Sequence, residues 1–117
     1  MLSSLLTGCY SDQAVIWKAD STSQDGRWTS HAETVQQGGP GNAWVSTQVT
    51  LVQKGRDDYQ LIASFSHIKA AYPVLEAVTM TWINPQHLDI AYRPDSEVDF
   101  QAVKLASVTI TLHPRDR

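Results

Sequence analysis

A single cysteine, Cys9, is all the sulfhydryl chemistry that 117 residues carry. No disulfide can form within the chain, so a core must hold it together. Basic residues are also few: nine Lys and Arg stand against twelve Asp and Glu, for a formal net charge of −3. They are scattered rather than clustered, which leaves no basic patch for a phosphate backbone and argues against nucleic acid as a partner. Long apolar runs are missing too, and no stretch approaches the roughly 18 residues of a spanning helix. No G-x-S-x-G nucleophile elbow occurs. The glycine-rich stretch Gln36-Gln37-Gly38-Gly39-Pro40-Gly41-Asn42 lacks the Lys-[Ser/Thr] of a phosphate loop and reads as a plain connection. No motif calls for a cofactor.

What is there is enough for one ordinary domain. The chain is 42% hydrophobic and has four tryptophans and four tyrosines. Period-2 alternation dominates. In 44–53, Val45, Thr47, Val49 and Leu51 share one face, and Ser46, Gln48 and Thr50 the other. Val78, Met80 and Trp82 oppose Thr79 and Thr81; Leu88, Ile90 and Tyr92 oppose His87, Asp89 and Ala91. Val108, Ile110 and Leu112 oppose Thr109 and Thr111. Less regular strands are expected over 15–18, 27–35 and 59–65. Turn chemistry separates them, at Asp25-Gly26, at Lys54-Gly55 and at Asn84-Pro85-Gln86. Pro73 makes a long helix over 68–77 unfavourable. These patterns predict an all-β fold, an antiparallel meander or small β-sandwich of about seven short strands.

The opening residues point to an address. Leu6-Thr7-Gly8-Cys9 resembles the lipobox of bacterial lipoproteins, in which small residues precede the cysteine that is lipidated. No Lys or Arg precedes Cys9, and the apolar stretch over 2–6 is interrupted by Ser3 and Ser4. That is shorter than the roughly 7–15 apolar residues of a secretory signal, so this reading calls for leader residues upstream of Met1. The competing reading is a short tail with one thiol. Each methylene of an acyl chain placed in a bilayer contributes about 0.8 kcal/mol, and stable anchoring takes more than one chain. The chain then divides into a lipobox-like segment, tether and first strand over 1–22, and an antiparallel β domain over 23–117.

Three stretches together resemble one family. They are Ser23-Gln24-Asp25-Gly26-Arg27-Trp28, then Asn42-Ala43-Trp44-Val45-Ser46-Thr47-Gln48-Val49-Thr50-Leu51, then Trp82-Ile83-Asn84 followed by Leu88-Asp89-Ile90-Ala91-Tyr92. In this order the chain is similar to small bacterial proteins of the DUF5412 type, many of them lipoproteins. The resemblance spans most of 23–112. Many such proteins place Cys-Gly before the second stretch, where this chain has Gln37-Gly38-Gly39. The resemblance implies a fold and an envelope location, and no activity.

Candidate functional residues fall into two groups. His31 with Glu33, and His87 with Asp89, are i, i+2 pairs on expected outward strand faces, a spacing that can offer two ligands to zinc. Polar outward positions are also what alternation demands, and a metal site needs three or four ligands in fixed geometry. His67 and His113 complete a set only if the fold gathers them. The second group is aromatic. Trp28, Trp82 and Tyr92 fall on core faces, whereas Trp44 alternates away from Val45 and Val49. Trp44, with Trp17 or Tyr59, is therefore a candidate partner-binding anchor. The reading is a non-enzymatic, lipid-anchored module of the bacterial envelope that binds a protein partner, attached through Cys9. One alternative is a metal-dependent or hydrolytic enzyme using His31, Glu33, His87 and Asp89. The other is a cytoplasmic β-sheet subunit covered by a partner chain.

Overall fold

The computed structural model describes residues 14–37, 44–66 and 77–115, with Gln37 and Trp44 by backbone alone. Cys9, His67 and the glycine-rich residues 38–41 lie outside the described residues. So does all but the last residue of 68–77.

Nine strands form. They are β1 (Ala14–Thr22), β2 (Trp28–Gln37), β3 (Trp44–Gln53), β4 (Gln60–Ser66), β5 (Val78–Asn84), β6 (His87–Tyr92), β7 (Glu97–Gln101), β8 (Lys104–Leu105) and β9 (Val108–Pro114). A five-stranded sheet runs β1-β2-β3-β4-β7 and a four-stranded sheet runs β5-β6-β9-β8. One continuous core joins them, with Val49, Leu51, Ile62 and Phe65 from the first sheet against Val78, Leu88, Ile90 and Ile110 from the second. The fold is a small β-sandwich, all-β as the alternation predicts. The inward faces are those read from the sequence: Val45, Thr47, Val49 and Leu51 on β3, Leu88 and Ile90 on β6, Val108 and Ile110 on β9. Burying each Leu or Ile side chain contributes about 1.5–3 kcal/mol.

Two features correct the sequence reading. Strands number nine among the described residues rather than about seven. The additions are β7, a five-residue edge strand exposed throughout, and β8, only two residues long. Strands are also not all antiparallel, because β9 runs parallel to β6, pairing Leu88 with Ile110 and Ile90 with Leu112. The chain leaves β6 for the other sheet, forms β7, and returns through β8 before β9 takes its place. A crossover of this length permits parallel pairing, whereas a hairpin forces the antiparallel form. Asp95 makes a two-pronged pair with Arg93 at 3.1 and 3.0 Å in the β6–β7 turn.

The sheets are tied at one side by polar bonds. Trp82 Nε1 donates to the Ser21 carbonyl at 3.1 Å, and Gln24 Nε2 donates to the Trp82 carbonyl at 2.8 Å. The first strand, β1, is paired with β2 along most of its length, so it belongs to the sheet that carries the rest of the domain.

Candidate functional site

The outward face of the five-stranded sheet is built in rungs. One rung runs Asp20–His31–Thr50–Leu61 across β1 to β4, and the next runs Lys18–Glu33–Gln48–Ser64–Phe100 across to β7. Strand periodicity places His31 and Glu33 on this same face. The Asp20 carboxylate accepts a hydrogen bond from His31 Nδ1–H. Tyr59, just ahead of β4, stands edge-on to the His31 ring, with centroids 6.4 Å apart and planes at 72°. That separation lies within the favourable range for aromatic pairs. Together His31, Glu33, Gln48, Thr50 and Tyr59 line a shallow groove of about 330 Å³. Tyr59 is exposed, with 59% of its surface open.

The Asp20–His31 pair directs the basic lone pair of His31 to Nε2, an arrangement that can orient a general base. Among the described residues no hydroxyl or thiol hydrogen-bonds to that nitrogen. The groove therefore offers one oriented imidazole, one carboxylate, an amide, a hydroxyl and an exposed phenol. That is a set of recognition groups with an aromatic anchor.

The second His/acid pair lies on the opposite outer face, that of the four-stranded sheet. Thr111 Oγ1 donates to Asp89 Oδ1 at 2.7 Å, and His113 Nε2–H donates to Asp89 Oδ2 at 2.8 Å. With its proton committed to Asp89, the Thr111 hydroxyl receives the His87 Nε2–H at 3.0 Å. The result is a chain, His87–Thr111–Asp89–His113, spanning the parallel pair β6 and β9. Each Asp89 oxygen accepts from a β9 side chain, so this cluster fastens two strands. The four metal candidates are thus divided between two faces rather than gathered. Among the described residues no group of three His, Cys, Asp or Glu is placed to hold a metal ion.

The aromatic candidates also separate. Tyr59 is exposed beside the groove. Trp17 is half-buried and packs against the core, so it offers a partner only part of its ring. Trp44 opens β3 opposite Gln37, and its side chain lies outside the described residues. Trp28 and Trp82 are buried at 9% and 8% exposure, as their core-face positions predict. Asp20, Gln48, Thr50 and Thr111 were not singled out from the sequence. Each joins its cluster through cross-strand register, which no local pattern encodes.

No family model, curated protein or solved structure matches the chain.

Proposed function

We propose that this chain is a non-enzymatic binding module of a bacterial envelope lipoprotein. It is anchored through acyl chains on Cys9 and docks a protein partner on the outward face of the five-stranded sheet. The observation that carries the docking surface is Tyr59, exposed and standing against His31 in a groove lined otherwise by polar side chains. A tyrosine gives a partner a large, stiff apolar contact with a polar tip, and such residues anchor interfaces. Glu33, Gln48 and Thr50 supply the polar complement around it. Trp44, on the same sheet, remains a second anchor in this proposal. The lipobox-like Leu6-Thr7-Gly8-Cys9 and the resemblance to the DUF5412 type support the envelope address.

The test is a pull-down from solubilised envelope with the acylated protein as bait. Tyr59→Ala and Trp44→Ala are compared with Ile83→Ala, a change at an exposed residue of the other sheet. The expected outcome is loss of the same partner band with the first two variants, at unchanged melting temperature, and retention with the third. Equal capture by all four proteins would overturn the docking surface.

A further inference from the structure

Seven large apolar side chains stand exposed among the described residues, and five of them gather in one region. Tyr59 lies just ahead of β4 and Leu61 within it, Val98 and Phe100 lie on β7, and Val103 follows two residues past the end of β7. Cross-strand register makes them neighbours. Phe65 faces Val98 and Ser64 faces Phe100. The pairing runs on past β7, where the Ala102 N–H donates to the Ile62 carbonyl at 2.8 Å, and Leu61 and Val103 are the next residues along. A contiguous exposed apolar patch rimmed by polar groups marks an interaction site. This one continues the Tyr59 groove across the sheet to its margin.

The margin itself is open. Among the described residues β7 pairs with β4 alone, so the other side of its backbone has no strand partner. All five of its residues are exposed. Such an edge offers a row of N–H and C=O groups on which a further strand can form. Shortness, charge and a bulge guard natural edges against that. β7 has all three: it is five residues long, it carries Glu97 and Asp99, and Asp99 is the extra residue where Ser64–Phe100 pairing gives way to Phe65–Val98. These guards act against a like edge. A second copy would set acidic β7 against acidic β7, and like charges facing across strands are unfavourable. They do not bar a strand of opposite charge, and the apolar flank of Val98, Phe100 and Leu61 is more than a guarded edge requires.

We propose that β7 receives an extended basic segment of a protein partner as a sixth strand of its sheet. Main-chain hydrogen bonds to β7 hold the segment, its apolar residues cover Phe100 and Leu61, and a Lys or Arg meets Asp99. The extent of the patch favours a segment over a broad rigid surface. Five side chains exposed by 38% to 69% fall well short of the roughly 800 Å² per partner of a standard protein interface. Main-chain bonding along the open edge supplies what side-chain burial does not. The proposal rests on the docking reading above and deepens it, since it names the part of the partner that meets the margin of the same face.

The test is titration of the ¹⁵N-labelled protein, following the assigned backbone amides of 98–101. The probes are a blocked hexapeptide alternating valine and lysine, its valine–glutamate counterpart, and the lysine peptide with every backbone N–H methylated. The lysine peptide should give saturable shifts at 98–101, and the other two none. Asp99→Lys should weaken the lysine peptide by about tenfold, because a cross-strand attraction becomes a repulsion, and should admit the glutamate peptide. Silence at 98–101, an equal response to the glutamate peptide, binding that survives methylation, or indifference to Asp99→Lys would each overturn the proposal. So would concentration-dependent shifts at 98–101 without peptide, which would make a second copy the occupant. If the pull-down loses its partner with Tyr59→Ala while the peptides leave 98–101 unmoved, the docking face stands and the added strand fails.

Discussion

At Ser23 a buried hydroxyl accepts from the Trp28 N–H at 3.2 Å and donates to Asp25 Oδ1 at 2.7 Å. Asp25 also takes the Arg27 N–H at 3.1 Å, and Gly26 turns the chain between them with a φ of +75°. The Ser23 hydroxyl, then the Arg27 backbone N–H, hold the Asp25 carboxyl below its ordinary value. A depressed folded value means that the charge contributes stability above the unfolded value near 3.8 and loses it as pH falls through the folded one. Asp25→Asn keeps the acceptor and removes the charge. Its urea midpoint should therefore fall below that of the parent at neutral pH, and the two should converge below about pH 4. Midpoints measured from pH 7 to 2.5 check this. A gap that stays constant into acid would assign the effect to shape alone.

Among whole elements, β2 and β3 carry a buried polar rung where Thr34 and Thr47 face each other. Their hydroxyls lie 2.7 Å apart, on residues that are 3% and 0% exposed. Each satisfies the other in the core. Thr47→Val should cost about 1–3 kcal/mol, because it leaves the Thr34 hydroxyl buried alone, whereas Thr34→Val combined with Thr47→Val should be close to neutral. A double-mutant cycle by urea unfolding reads the difference; additive losses would show that the hydroxyls act independently. Elements were legible in the sequence where one face is buried and the other wet. β3, β5, β6 and β9 announced themselves through alternation that burial enforces. β7 alternates as well, with Val98 and Phe100 between Glu97, Asp99 and Gln101, yet the acidic turn before it masks the pattern. As an edge strand it is fully exposed and bulged against β4 between Ser64 and Phe65, so packing imposes little on its composition. β8 is too short for any period.

For the molecule as a whole, sequence periodicity was enough to predict an all-β domain, because the strands that build the core turn an apolar face inward. It was not enough to predict which strands share an edge. The parallel pairing of β6 with β9 depends on the path through the other sheet, and it brings Thr111 and His113 to Asp89. The same limit governs the groove. His31, Glu33 and Tyr59 were singled out separately, and the pairing of β1, β2, β3 and β4 joins them to Asp20, Gln48 and Thr50. Trp17 shows the converse: an aromatic on a weakly patterned strand goes half inward because the sandwich has core to cover there. With a net charge of −3, the chain has no general attraction to an anionic bilayer. Membrane residence in this account therefore rests on acyl chains at Cys9. Mass spectrometry of the protein purified from native membranes, expressed from its own locus with upstream DNA, tests that claim most directly. The account predicts a chain beginning at Cys9 with the added mass of two or three acyl groups. An unmodified chain beginning at Met1, recovered in the soluble fraction, would contradict it.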